Sequence, residues 1–161
     1  MAQSDRAQTA SYPEKNPLFT VEIPNGWQLQ RENGAVKLVA QANAVCLLQH
    51  VDNVKDEETA QTALPELMQL EGHQFNLNSL VISGKPKVVK LGDFKGFAAI
   101  GRGTDKGGGE TLWQTMLFAP KEGDYYLVTC FWTKNEEEKT TVDRTSIFTS
   151  LKSLDPFYVS R

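Results

Sequence analysis

The first third of the chain alternates apolar and polar residues with the two-residue period of a β-strand. Phe19, Val21 and Ile23 alternate with polar neighbours, which is typical of a half-buried strand. Apolar segments at 35–41 and 44–51 predict two further strands. An Asn-Gly pair directly precedes the first of these segments and favours a tight hairpin turn, so antiparallel pairing is predicted.

A helix is predicted after these strands. Asp56 is its expected N-cap, and two glutamates follow it where the helix dipole favours negative charge. Gly72 is placed to end the helix, and Pro65 is expected to kink it or to split it in two. The predicted apolar face consists of Ala60, Ala63, Leu64, Leu67, Met68 and Leu70.

The second half predicts four strands followed by another helix. The strands are expected at 85–91, 94–104, 111–119 and 125–133, and their short connections favour antiparallel pairing of neighbours. Asn135 is the predicted N-cap of the closing helix. The apolar stripe of that helix is predicted to be Ile147, Phe148, Leu151 and Leu154.

These patterns predict an α+β fold in a single domain at residues 18–155. Its antiparallel sheet should have about six or seven strands and helices on its faces, as in an α/β/α sandwich. Residues 1–17 are polar and contain two prolines, so a disordered N-terminal lead-in is predicted. Residues 156–161 are predicted to form a C-terminal tail.

Composition and charge exclude some classes of function. The net charge of -3 and the pI near 5.4 argue against a nucleic-acid binder, which usually has a basic face. The sequence contains no apolar run of about 18 residues, so no transmembrane segment is predicted. No cofactor is predicted either.

The two cysteines allow more than one interpretation. Cys46 and Cys130 both lie in apolar segments with a strand pattern. We interpret them first as buried thiols, because a free cysteine packs like a small apolar residue. A disulfide between them is the alternative. A catalytic thiolate is disfavoured, because neither cysteine has a basic residue nearby to lower its pKa.

Motifs for metal binding or catalysis are not found. His50 and His73 are not spaced as paired metal ligands. The glycine-rich stretch 101–109 is predicted to be a hairpin loop, because it lacks the Lys-Ser/Thr ending of a phosphate-binding loop.

One basic cluster and one aromatic strand are candidates for a partner surface. The lysines are Lys85, Lys87, Lys90 and Lys95. They either protect an exposed edge strand from aggregation or attract an acidic partner. The strand at 125–133 is apolar on both faces, so both faces should be covered, or one face should bind a partner through Tyr126 and Trp132.

The segment 19–27 ends in Ile-Pro-Asn-Gly-Trp and resembles the start of PsbP-like and Mog-like domains. The later order of strands and helices is also similar, so the resemblance extends over residues 18–154. It implies an antiparallel sheet between helices. It also implies a binding role without a shared catalytic constellation. Among the branches of this superfamily, the sequence is most similar to the bacterial DcrB-like proteins.

We therefore expect a non-catalytic cell-envelope protein that binds a protein partner. Ala2 followed by Gln3 matches what remains after signal cleavage behind an A-x-A-like site, so export to the periplasm is expected. The alternative is a cytoplasmic chaperone for a secreted effector, which would usually be a homodimer. An enzyme acting on small molecules is disfavoured, because no acid/base pair can be named.

Overall fold

The computed structural model describes residues 8–41 and 43–158. The strands are β1 (Gln8–Tyr12), β2 (Phe19–Ile23), β3 (Gln28–Glu32), β4 (Ala35–Val39), β5 (Ala44–Val51), β6 (Asn78–Leu91), β7 (Phe94–Thr104), β8 (Glu110–Lys121), β9 (Asp124–Thr133) and β10 (Lys152–Ser153). The helices are α1 (Glu57–Gln74) and α2 (Glu137–Thr149), the second preceded by a 3-10 turn at Lys134–Glu136.

Seven strands form one antiparallel sheet in the order β3-β4-β5-β9-β8-β7-β6. The sequence analysis predicts this class of sheet, and the structure confirms it. The edge position expected for the lysine-bearing strand is also confirmed, because β6 is an outer strand. β6 is twice as long as expected, and its register with β7 is irregular between Ser83 and Lys87. Within the glycine-rich stretch, residues 101–104 complete β7, and residues 105–109 form the hairpin connection to β8.

The two faces of the large sheet are covered by different elements. One face packs against α1, and this core includes Leu64, Met68, Trp113 and Phe131. The other face packs against α2 and a three-stranded sheet of order β1-β2-β10. The predicted α/β/α sandwich is thus confirmed, with the small sheet sharing the second layer.

Helix α1 begins where the sequence predicts. The Asp56 carboxylate accepts a hydrogen bond from the Thr59 N–H at 2.7 Å. The predicted end is wrong, because the helix continues past Gly72 to Gln74. Gly72 is needed inside the helix for packing, since a Cβ there would lie 2.9 Å from the side chain of Leu80. Pro65 lies within a helix that is not split.

Helix α2 differs from the prediction at both ends. Asn135 lies in the 3-10 turn, and Glu136 is the N-cap, without a side-chain capping bond. Ile147, Phe148 and Leu151 are buried as predicted, whereas Leu154 is 48% exposed. The reason is that the helix ends at Thr149, and the chain then enters the short strand β10, so helical periodicity no longer applies.

The predicted lead-in is wrong for residues 8–12. These residues form β1, which pairs antiparallel with β2. Ala10 and Tyr12 are buried, and the Tyr12 ring packs edge-on against Phe19 at a centroid distance of 5.9 Å. Residues 1–7 lie outside the described residues.

Cys46 and Cys130 form a disulfide, so the interpretation as buried thiols is wrong. They are directly opposite each other on β5 and β9, with a Cα–Cα distance of 4.0 Å. Both cysteines are fully buried in the core beside α2. Their cross-strand register brings the thiols together, and that register cannot be read from the sequence alone.

Candidate partner-binding groove

A cleft of about 750 Å³ lies at one end of the large sheet. Three segments form its walls: the start of α1, the β8–β9 turn and the chain after β10. The lining residues include Lys55, Asp56, Glu57, Lys95, Ala119, Lys121, Glu122, Tyr125, Leu154, Asp155, Phe157 and Tyr158. Charged and apolar side chains are therefore mixed within it.

Hydrogen bonds hold the C-terminal wall of the cleft. The Ser153 N–H donates to the carboxylate of Asp93 at 2.9 Å, and the Phe157 N–H donates to the Asp155 carboxylate at 2.9 Å. The Tyr158 ring packs edge-on against Phe94 at a centroid distance of 5.0 Å. This anchoring places the Phe157 side chain at the rim, where it is 86% exposed.

A smaller recess of about 90 Å³ continues from the cleft toward the edge of the sheet. The cleft and the recess share Glu57, Lys95, Ala119 and Tyr125 as lining residues. The recess adds an apolar floor formed by Val88, Phe97 and Leu117. We call the cleft and the recess together the groove.

The structure separates the four predicted lysines. All four are exposed and lie on or beside β6. Lys90 is directly opposite Lys95, on the face of the sheet that carries α1. Lys87 pairs with Ala98 and points to the other face, and Lys85 lies in the irregular stretch. Only Lys90 and Lys95 therefore belong together: Lys95 lines the groove, and Lys90 lies opposite it on the edge strand.

Tyr126 and Trp132 are not accessible, so their prediction as partner-surface residues is wrong. Their exposed fractions are 4% and 5%. The Tyr126 ring lies among Tyr12, Phe19 and His50, and the Arg144 guanidinium lies 3.6 Å above the Trp132 ring. The small sheet and α2 therefore cover this face of β9, for which the sequence allows either a covered face or a partner-binding face.

The groove carries charges of both signs. The cleft is lined by the acids Asp56, Glu57, Glu122 and Asp155 and by the lysines Lys55, Lys95 and Lys121. Burial raises the pKa of the Tyr125 hydroxyl, and the carboxylates of Glu57 and Asp56 raise it further. The hydrogen bond from Thr59 lowers the pKa of Asp56, which keeps that carboxylate ionised. Lys95 lines both the cleft and the recess, and Lys90 is its cross-strand neighbour on β6.

A separate polar cluster surrounds His50 at the end of β5. Its Nε2 lies 2.7 Å from a carboxylate oxygen of Asp124, and its Nδ1 lies 3.4 Å from Asp52. The two ring nitrogens thus face different carboxylates, which is not an arrangement for one shared metal ion. Among the described residues, no group of three His, Cys, Asp or Glu side chains is arranged to hold a metal. Within the same residues, neither helix is apolar enough over its length to cross a membrane.

Sequence reasoning missed most of the groove. The sequence places Phe157 in the predicted C-terminal tail, and it predicts strand positions for Val88 and Phe97 without indicating a binding role. Their convergence depends on the register of β6 and β7 and on the return of the chain after α2. One available signal was the turn-forming Asp-Pro pair before Phe157, which indicates a fixed segment rather than a free tail.

No protein-family model and no curated protein matches this chain. Several solved structures do. LpqN of Mycobacterium tuberculosis, described as involved in cell envelope biogenesis, is 16% identical with a TM-score of 0.62, over 92% of each chain. The cyanobacterial PsbP (CyanoP) of Synechocystis is 11% identical with a TM-score of 0.61, over 95% of this chain and 96% of the other.

The Ran-binding protein Mog1p of Saccharomyces cerevisiae is a third match. It is 10% identical with a TM-score of 0.55, over 92% of this chain and 97% of that protein. Structural similarity at sequence identities this low establishes the fold but does not establish a function. The resemblance seen in the sequence is confirmed at this level: the chain has the fold of the PsbP-like and Mog-like proteins.

Proposed function

We propose that this chain is a non-catalytic protein of the cell envelope that binds a protein partner through the groove. The groove itself carries the proposal. It combines an exposed aromatic rim residue, an apolar floor and charged side chains. Protein-binding surfaces commonly have this mixture of an aromatic anchor with a polar rim.

The disulfide supports the envelope as the compartment. Disulfides persist in the periplasm and outside the cell, whereas cytosolic thiols are kept reduced. Cys46 and Cys130 are paired and fully buried, which is typical of a structural disulfide. The same observation argues against the cytoplasmic chaperone as the alternative.

The descriptions of two similar structures each fit one part of the proposal, the envelope location or the protein partner. LpqN is described as involved in cell envelope biogenesis, and Mog1p as a Ran-binding protein. These descriptions belong to those proteins, and for this chain an envelope location and a protein partner are proposals. The closer similarity to DcrB-like proteins remains a prediction from the sequence.

Site-specific photo-crosslinking tests the proposal. A photoreactive phenylalanine analogue replaces Phe157, and the protein is irradiated in an envelope fraction of the source cells. We expect a discrete crosslinked product of higher mass, because this position is 86% exposed at the rim of the groove. The matched control carries the analogue at Leu70 of α1, which is 58% exposed and does not line the groove.

The products also distinguish the alternatives. A product with the mass of two copies would indicate the homodimer of the chaperone hypothesis. Equal products from both positions, or none from position 157, would contradict binding through the groove. Thiol labelling under denaturing conditions, on protein quenched directly from the cells with acid, tests the compartment separately. Cytoplasmic protein would carry reduced cysteines that become reactive once the fully buried positions are exposed.

A further inference from the structure

Lys95, which lines the groove, faces a second lysine across the pairing of β6 with β7. Lys90 of β6 and Lys95 of β7 are directly opposite in the antiparallel register. Like charges in this arrangement repel and destabilise the strand pair. Among the described residues, neither ammonium group lies within 4.0 Å of a carboxylate. The pair thus lacks a counter-charge.

Glu57 is the acidic residue that lines the recess. It lines both the cleft and the recess, yet it forms no ion pair with Lys95 in the described structure. The Asp56 carboxylate caps α1, and the Asp155 carboxylate accepts the Phe157 N–H. These two carboxylates are hydrogen-bonded within the chain, and among the described residues neither forms an ion pair with Lys90 or Lys95.

Apolar side chains lie beside the lysines on the same face of the sheet. Val88 pairs with Phe97, and the alternation of strands places them on the face of Lys90 and Lys95. Val88 is 57% exposed, so this apolar surface is open to solvent. The floor then continues through Leu117 toward Tyr125. An occupant of the recess would contact apolar groups first and the lysines at the edge.

Building on the proposed function, we propose that the groove binds a short acidic-apolar segment of the partner protein. Its apolar side chains contact Val88, Phe97 and Tyr125. A carboxylate that follows them lies between Lys90 and Lys95 and supplies the counter-charge that the chain lacks. A charge-assisted contact of this kind is stronger than one between neutral groups, and it fixes the direction of the bound segment.

Synthetic peptides provide a direct test with the whole chain. Three fluorescent peptides share the same leucine and phenylalanine positions and differ in their polar positions, which are all glutamate, all glutamine or all lysine. We expect fluorescence anisotropy to show the tightest binding for the glutamate peptide. Its affinity should fall as salt rises from about 0.05 M to about 0.5 M, because screening weakens exposed charge pairs.

Variants locate the contact. Lys90→Glu combined with Lys95→Glu should weaken binding of the glutamate peptide by about tenfold or more and should strengthen binding of the lysine peptide. Lys106→Glu combined with Lys152→Glu makes the same change in net charge at exposed positions outside the groove and should have little effect. Lys90→Arg with Lys95→Arg should retain binding, because it keeps both positive charges. Binding of the lysine peptide by the charge-reversed protein shows that this variant is folded.

Several outcomes would overturn the proposal. These are equal binding of the three peptides, no binding of the glutamate peptide, or loss of binding in both glutamate variants alike. NMR shifts on binding should affect Phe97 and Tyr125 but not Val142, which is exposed on α2. Shifts confined to the main chain of β6 would indicate strand addition at the edge instead. A crosslink at position 157 that persists after any of these results would leave the proposed function standing.

Discussion

Glu71 is a carboxylic acid buried between α1 and the large sheet. Its exposed fraction is 4%, and its two oxygens accept hydrogen bonds from Thr115 at 2.9 Å and from Thr129 at 2.5 Å. Burial raises the pKa of Glu71 from 4.5 to about 7, although the hydroxyl groups of Thr129 and Thr115 partly oppose that rise. The group therefore titrates near neutral pH.

This raised pKa predicts that stability falls as pH rises from about 4.5 to about 7. Below this window Glu71 is protonated in both the folded and the unfolded chain. Within it the folded chain keeps a proton that the unfolded chain has lost, so rising pH favours the unfolded chain and lowers the free energy of unfolding. The total contribution is about 3 kcal/mol. Glu71→Gln should therefore remove this decline, as measured by urea unfolding at several pH values.

Glu66→Gln is the matched control for that experiment. Glu66 lies on the same helix and is exposed, so its replacement should leave the dependence of stability on pH unchanged. If the free energy of unfolding changes with pH in the same way for the wild type and for Glu71→Gln across this window, the Glu71 carboxyl has an ordinary pKa in the folded protein.

At the residue scale, sequence reasoning works where local chemistry determines the outcome. Asp56 was identified as a cap because its side chain acts on the next turn of the chain. Glu71 was missed, although helical spacing from Leu64 and Met68 places it on the buried face. The sequence leaves open whether Tyr126 and Trp132 are covered or bind a partner, because it does not show which elements cover a strand.

At the scale of elements, β1 makes the edge of the small sheet and covers part of the core. Tyr12 is 2% exposed, and its ring packs against Phe19 and Tyr126 at centroid distances of 5.9 Å and 5.7 Å. Deleting residues 1–12 removes this ring and uncovers its partners. We expect a loss of about 3 to 5 kcal/mol, seen as a melting temperature lower by roughly 10 °C.

Tyr12→Phe is the comparison for the truncation. It keeps the ring and loses only the hydroxyl, which donates to the carbonyl of Gly34. Its melting temperature should therefore lie much closer to the wild type than that of the truncated chain. A truncated protein as stable as the wild type would instead support the disordered lead-in that the sequence predicts.

The sequence predicted β7 and β5 to the residue, but it missed β1 and the first half of β6. Long apolar alternation is sufficient to define a strand, as in β7. β1 offers only Ala10 and Tyr12 at the two-residue spacing, among polar neighbours and before a proline. Its strand character comes from pairing with β2. The groove was missed for the same reason, since tertiary pairing brings its walls together.

At the scale of the whole molecule, the large sheet joins two halves of the chain. β3, β4 and β5 come from the first half, and β6 to β9 come from the second. The halves meet within this sheet along the pairing of β5 with β9, which extends from Ala44 opposite Trp132 to Val51 opposite Tyr125. The disulfide lies inside this pairing, so it links the halves covalently at their shared strand boundary.

The disulfide should therefore contribute strongly to the stability of the whole fold. Cys46 and Cys130 are 84 residues apart, and closing a loop of this length restricts the unfolded chain by about 3 to 5 kcal/mol. Replacing both cysteines by alanine should lower the free energy of unfolding by this amount, and the midpoint of urea unfolding should fall with it. Because both sulfurs are fully buried, a mild reductant should leave the native protein unchanged yet act once urea unfolds it. Rapid reduction of the native protein would contradict the burial of the sulfurs, and an unchanged midpoint in the double variant would contradict the expected stabilisation by this bond.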